Sequence, residues 1–500
     1  MALSVAEIKR FIQDDSASKK KRRAAVGQRY YEAEHDILKC RLFYYNEIGD
    51  LVEDTTRSNV KICHPFFTEL ADQLTYHLLS FDESPIRAYD NSKGLQDHLD
   101  RYFDSKFWQE IGDLVTGAYT KGFDYLYGYK NKENRIVFQY ADGMGVVEIQ
   151  AKDANDGQNH VLRWYIKRID KGRKTVKCIE DWTDKETRYY IQIGNGHIKP
   201  DDSAPINPRP HVVFTQKKGG QKRGYGFGFI PFWRLDNNRK QFSGLKPVKS
   251  LIDDYDLHAC SLSNNLVDFD TPLHVVKGFE GQGEEALKEL QQNLKTKKIV
   301  GVDAEGGIDV KTVDVPYQAR KEKLEIDERN IYRFGMGLNA SQVGDGNITN
   351  VVIKSRYTLL EMKAKKMQDR LCALLEEIIQ VVLDEINHEN GTDFQRSDWH
   401  FDFSRDTITN ESENIQNELV KAQTRQVEIN TILNIAAQIG EEETLKAICE
   451  QMDLDYEEIK DKAPKPADPE AELMGAMATL EGVVTDEQAA ETDSGAVPER

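Results

Sequence analysis

Between residues 351 and 388 apolar side chains recur four or three apart, at Ile353, Tyr357, Leu360, Ala364, Met367, Leu371, Leu374, Ile378 and Val382, with no glycine or proline among them. The spacing predicts one amphipathic helix. At 1.5 Å per residue it would be roughly 50 Å long, several times the mean helix, and would cross the whole molecule. Shorter helical patterns are seen near the N-terminus (AEIKRFI), after Pro65 with Phe66, Leu70, Leu74, His77 and Leu78, and around 98–122. Others cover 245–267, with Val248, Ile252, Tyr255, Ala259 and Leu262 on one side, and 317–336. Residues 412–450 predict a helix pair, with Ile415, Leu419 and Ala422 on the first member and Ile432, Leu433, Ala436 and Ile439 on the second; Gly440 ends it before 441–452.

Period-two alternation takes over at 124–129, 135–140, 146–150, 161–170, 175–182, 188–193 and 211–216, with Asn155-Asp156-Gly157 and Gly194-Asn195-Gly196 as turns. This predicts an antiparallel sheet domain between about 95 and 245, to which 398–404 returns as one further strand. Between the helices at 245–267 and 317–336 lies a small α/β excursion: a strand at 273–278, a helix at 283–294, a strand at 297–302 and a turn and strand at 306–315. The fold class is therefore α+β. Beyond 463 the chain is rich in Ala, Glu, Asp and Thr, builds no core, and is expected to be disordered.

The 500 residues suggest two to four domains, and a hydrophobic fraction of 39% is ample for cores. A net charge of −18 argues against a general nucleic-acid coat but permits DNA contact through a small basic ring. The six cysteines show no C-x-x-C spacing, which predicts free thiols in a reducing compartment and no zinc. No secretory h-region and no apolar run near 20 residues is present, so a soluble intracellular protein without membrane contact is expected, and the N-x-[ST] matches at Asn339, Asn347, Asn390 and Asn410 imply no glycosylation. Gly224-Tyr225-Gly226-Phe227-Gly228 lacks the spacing of a phosphate loop and is followed by Pro231; a tight turn closing the sheet is the better reading. No H-E-x-x-H, G-x-S-x-G, Walker or kinase signature occurs, so no catalytic residue, cofactor or metal is assigned.

The charges of the long helix are reversed with respect to its dipole. Lys354, Arg356, Lys363, Lys365, Lys366 and Arg370 occupy its N-terminal half, and Glu376, Glu377, Asp384, Glu385 and Glu389 its C-terminal half. Groups outside the helix must set those charges. In front of it the polar NASQVGDGNITN, with Gly344 and Gly346 about Asp345, predicts a mobile loop over 339–350. The basic run Lys19-Lys20-Lys21-Arg22-Arg23 reads as a solvated helix face or, alternatively, as a contact with nucleic acid or an acidic partner. Asp253 and Asp256 share a helix face, expected to be an acidic solvent or channel face rather than a cation site.

The order of these parts carries a resemblance. HDILKCR (35–41), NVKICHPFFTELADQLTYHLL (59–79), VTGAYTKGFDYLYGY (115–129), FGFIPFWRLDNNRKQFSGLKPVKSLIDDYDLHACSLSNNLVDF (227–269) and IYRFGMGLNASQVGDGNITNVVIKSRYTLLEMKAKK (331–366) together resemble the portal proteins of tailed bacteriophages. The likeness is to the long-tailed-phage portal family of Gram-positive hosts and spans about residues 30 to 450. No single motif is diagnostic; their order and spacing are. Thr349-Asn350 departs from the Ser-Gly of many relatives, and the tail beyond 463 matches nothing.

The resemblance implies a portal fold with a β-rich wing, two-helix stem, small α/β clip, long spine helix and helical crown. On that carry-over, after a basic segment at 1–25, residues 26–245 with 390–411 form the wing, 246–267 and 316–338 the stem helices, and 268–315 the clip. Residues 339–350 are then the tunnel loop, 351–389 the spine, 412–462 the crown and 463–500 an acidic tail. It further implies a homo-oligomeric ring, a dodecamer, at one capsid vertex of the virion, assembled in the host bacterial cytoplasm. Double-stranded DNA would pass through it, and its partners would be the terminase large subunit, scaffold and major capsid protein, and the head-tail adaptor.

Ser341, Gln342, Asp345, Asn347, Thr349, Asn350, Lys354 and Arg356 would then contact DNA. Asp253, Asp256, Lys321, Lys323 and Arg329 would line the stem or channel face. Glu284, Glu285, Lys288, Lys295, Lys297 and Lys298 would dock motor or adaptor. The rival readings are a coiled-coil scaffold, tail or minor capsid protein, and a metal-dependent enzyme acting on nucleic acid through Asp253, Asp256, Asp402 and Asp406.

Overall fold

A computed structural model of the chain describes residues 2–90, 92, 94–151, 159–169, 174–215, 222–269, 273–277, 283–286, 288, 289, 292, 307–311, 317–339, 350–403, 411–452 and 456. They fall into two compact units, 1–408 and 409–500.

The first unit begins with α1 (Val5–Ser16), fixed by a capping box in which Ser4 Oγ accepts from the Glu7 N–H while the Glu7 carboxylate accepts from the Ser4 N–H at 2.9 Å. The basic run opens α2 (Lys19–Tyr31). Neither reading of that run survives at Lys21. Its ammonium is buried, donates to the carbonyls of Gly143 and, at 2.8 Å, Val146, and pairs with Asp15 at 3.0 Å. Lys20 lies over the Phe123 ring at 3.7 Å. A hairpin of β1 (Phe43–Tyr45) and β2 (Leu51–Glu53) follows, then α3 (Phe66–Leu79) and β3 (Ile86–Ala88). The single helix expected at 98–122 is two, α4 (Leu95–Tyr102) and α5 (Ser105–Lys121). Asp104 separates them because its carboxylate caps α5, accepting from the N–H groups of Lys106 and Phe107.

The expected sheet domain is two sheets and a ribbon. In the first sheet β4 (Phe123–Lys130) lies between β5 (Ile136–Ala141) and β14 (Phe232–Asp236). The second carries β6 (Val146–Ile149), β7 (His160–Ile169), β8 (Lys174–Trp182), β9 (Glu186–Ile193) and β10 (Lys199–Pro200) in order, with β11 (Arg209–Pro210) also on β9. The ribbon pairs β12 (Val212–Thr215) with β13 (Lys222–Tyr225), so Gly224-Tyr225 ends a strand rather than making a turn. Two layers arise because β4 is buried on both faces. Leu126 joins the main core with α5, while Phe123, Tyr125 and Tyr127 meet Val146, Val161 and Trp182 in a second cluster.

Next come α6 (Lys249–Phe269), the antiparallel pair β15 (Leu273–Lys277) and β16 (Gly307–Lys311), and α7 (Tyr317–Gly335), which packs on α6. The strand expected at 297–302 lies outside the described residues. The long helix is α8 (Asn350–Asn390), 41 residues. Its stripe is buried from Leu360 onward and lies in the main core from Ala364 to Val382, and a second row, Leu375, Ile379, Leu383 and Ile386, is buried beside it. Outside groups do set its charges: Glu376 pairs with Arg396 at 2.9 Å, and Glu385 pairs with Lys130 and accepts from Tyr102 Oη at 2.8 Å. The strand after it, β17 (Trp399–Phe401), does not return to the sheets of 123–236; it pairs with β3.

In the second unit 411–439 is one helix, α9 (Glu411–Ile439), not a pair. Gly440, at φ +89°, ends it, and α10 (Glu441–Gln451) packs back on it.

Candidate functional site

The helix pair α6–α7 and the start of α8 hold most of the expected site residues that are described. On a helix, residues three and four apart share a flank. One flank of α6 grips residues 30–64. Asp253 accepts from Tyr30 Oη and from Lys249 at 2.7 Å. Asp256 Oδ2 lies 2.6 Å from His35 Nδ1, and its Oδ1 lies 2.8 Å from His64 Nδ1 and 3.0 Å from the His64 N–H. Further along, Cys260 Sγ accepts from the Ile62 N–H, Asn264 Oδ1 from that of Val60 at 2.6 Å, and Asp268 from that of Ser58. These side chains fasten an irregular segment along the helix.

The neighbouring flank faces α7. Asp254 pairs with Lys323 at 2.5 Å, Lys323 also pairs with Asp327, and Arg320 donates to Ser261 Oγ at 3.4 Å. Burial pulls the Lys323 value down, but Asp254 and Asp327 outweigh it and hold the ammonium above its usual range.

This geometry corrects one expectation. Asp256 is not on a solvent face: it is wholly buried, and both oxygens are taken by histidines. Burial by itself would raise its carboxyl, yet the hydrogen bonds from His35 and His64 hold it below the usual value. Asp253, half-buried, is engaged by Tyr30 and Lys249. Neither is left to bind a cation, and no group of three or more His, Cys, Asp or Glu among the described residues could hold a metal. Lys323 is likewise committed to an ion pair, whereas Lys321, 3.8 Å from Glu325, and Arg329 are exposed.

In the excursion Glu284, Glu285 and Lys288 are exposed, Lys288 lying 2.8 Å from Glu284; Lys295, Lys297 and Lys298 lie outside the described residues. So do Ser341, Gln342, Asp345, Asn347 and Thr349, and Asp406 of the enzyme reading. Asn350 is the first residue of α8, and Lys354 and Arg356 occupy its first two turns.

Sequence reasoning counted Lys363 only as one more cation on the helix. Its ammonium lies 3.1 Å from the carbonyls of Leu70 and Gly335 and 3.3 Å from Tyr119 Oη, so α8 is tied at one point to α3 and to the end of α7. Burial pushes it down to about 7. The signal was legible, because Lys363 falls beside Leu360, Ala364 and Met367 on the apolar stripe. Near the C-terminal end of α7, Leu338 is held on both sides by Gln73, which accepts from its N–H at 2.9 Å and donates to its carbonyl at 2.8 Å.

Residues 10–463 match the model of the family described as phage portal protein, SPP1 Gp6-like. The chain belongs to that family: it is a phage portal protein, a structural component of the virion. It is 26% identical over 392 residues to the portal protein of Bacillus phage SPP1, covering 78% of this chain and 75% of that one. To the portal protein of Clostridium phage phiCD119 it is 24% identical over 396 residues, covering 76% and 82%. Both relatives come from phages of Gram-positive hosts, as the sequence resemblance implied. Among solved structures it is similar to the neck of an empty GTA particle computed with C6 symmetry, at 13% identity and a TM-score of 0.39 over 78% of this chain and 90% of the other. The neck of a native GTA particle computed with C12 symmetry gives 13% and 0.35 over 77% and 89%.

Proposed function

We propose that copies of this chain close head to tail into a ring of about a dozen subunits, through which DNA enters and leaves the capsid. The observation that carries this reading is the match to a portal family along residues 10–463. In this reading the ring has no catalytic role of its own; the terminase large subunit supplies the energy, scaffold and major capsid protein surround the ring during assembly in the host cytoplasm, and a head-tail adaptor binds later. Residues 26–245 with 390–411 form the wing, α6 and α7 lie within the stem, 268–315 is the clip, 339–350 the tunnel loop, α8 the spine and 412–462 the crown. Loop residues 341–350 with Lys354 and Arg356 meet DNA phosphates without reading sequence, Lys321 faces the channel, and the exposed Glu284, Glu285 and Lys288 lie where motor and adaptor dock.

The test is native mass measurement of the purified protein with negative-stain images viewed end-on. A ring of about a dozen subunits with a central hole is expected. A rod, or a dimer with a closed centre, would overturn the proposal.

A further inference from the structure

The β1–β2 hairpin is exposed along both of its strands. Phe43, Tyr44, Tyr45, Ile48, Leu51 and Val52 are all exposed, Tyr45 to 74% and Ile48 to 86%, and both faces of the ribbon are open. An isolated two-stranded ribbon is marginal in water, and an apolar cluster of this kind on a soluble protein marks a binding surface. Its charges are acidic: Glu47 and Asp50 are exposed at the turn and make no ion pair among the described residues.

The chain carries a complementary face. On α7 the outward stripe holds Ile326, Arg329, Arg333 and Phe334, all exposed. Neither arginine pairs with a carboxylate among the described residues; Arg333 rests only over its neighbour Phe334. The segment that follows the hairpin and α7 hold neighbouring flanks of α6. Residues 58–64, which lead on from β2, are fastened by Asp256, Cys260, Asn264 and Asp268, while α7 is fastened by Asp254 and Ser261. A surface that matches a different surface of the same chain makes a heterologous contact when two copies meet. It repeats head to tail.

We propose that the hairpin of one copy docks on the α7 stripe of the next, with Tyr45, Ile48 and Leu51 against Ile326 and Phe334, and Glu47 and Asp50 against Arg329 and Arg333. This rests on the ring reading and identifies its subunit contact. It assigns Arg329 to the neighbour rather than to the channel wall.

The experiment is a charge swap in the full chain, read as the ring fraction by native mass measurement across protein concentrations. Circular dichroism and urea unfolding of each variant confirm that the subunit is folded. Glu47→Arg with Asp50→Arg, and separately Arg329→Glu with Arg333→Glu, are each expected to raise the concentration needed for rings by about tenfold or more. The four substitutions together restore most of the loss, which a merely structural effect of either pair would not do. If both pairs form rings at the wild-type concentration, or the combination is as poor as the sum of its parts, the docking is wrong while the ring stands. If the wild-type chain forms a rod or a closed dimer, ring and docking fall together.

Discussion

His35 Nδ1 lies 2.6 Å from Asp256 Oδ2, and both side chains are wholly buried. With His64 on the other oxygen, one carboxylate joins α6 to two points of the segment between α2 and α3. Removing it leaves the buried His35 ring nitrogen and the partly buried His64 ring nitrogen and N–H without their acceptor, so Asp256→Ala should cost about 3 kcal/mol. The pH dependence follows from the lowered carboxyl. Its unfolded value is about 4 and its folded value lower, so its contribution is present above about pH 4 and is lost as pH falls through the folded value. Urea unfolding should show the gap between wild type and Asp256→Ala closing below pH 4. A gap that stays constant would mean the carboxylate's charge contributes nothing.

Lys363 gives the opposite dependence. Its folded value is about 7 and its unfolded value about 10.4, so protonation is costlier in the folded chain. A lowered lysine contributes a penalty that is full below pH 7 and disappears as pH rises towards 10. Wild-type stability should rise between pH 7 and 9.5, while Lys363→Met lacks that rise. Equal slopes in the two proteins would show that the ammonium is compensated.

The long helix was legible because nine positions kept one period over 30 residues, and its reversed charges correctly pointed to partners elsewhere: Arg396 for Glu376 and Lys130 for Glu385. The split of the sheet was not, because strand alternation reports which residues of β4 face opposite ways and is silent on whether the second face meets water or Trp182. Asp256 misled for a similar reason. Helical spacing puts it on a face with Asp253, but its burial depends on His35 and His64, some two hundred residues away in sequence. The break between α4 and α5 carried a readable signal in Asp104, whose capping role competes with a continuous apolar pattern.

Gly122 ends α5 at φ +97°, and a Cβ there would lie 2.4 Å from the Gln241 carbonyl oxygen. The left-handed backbone alone costs a non-glycine residue about 1–2 kcal/mol. The oxygen belongs to backbone and yields little, so Gly122→Ala should cost at least about 2 kcal/mol in urea unfolding. Gly194, also at positive φ, meets nothing within 4 Å, and Gly194→Ala should show only the backbone part.

Lys354 and Arg356 lie in the opening turns of α8, where the helix dipole disfavours cations. A ring would repeat both around the channel, giving weak phosphate contacts at many angles, which suits a polymer that must keep moving. Removing a phosphate contact lowers the salt slope of binding by about one per cation. Particles assembled with Lys354→Ala and Arg356→Ala should therefore package DNA at a rate less sensitive to salt than wild type, with ring assembly unchanged. Strong, rigid contacts would instead stall the polymer, so the wild-type rate should itself fall as salt is lowered. An unaltered packaging rate and salt dependence in the double variant would remove these two residues from the proposed DNA path.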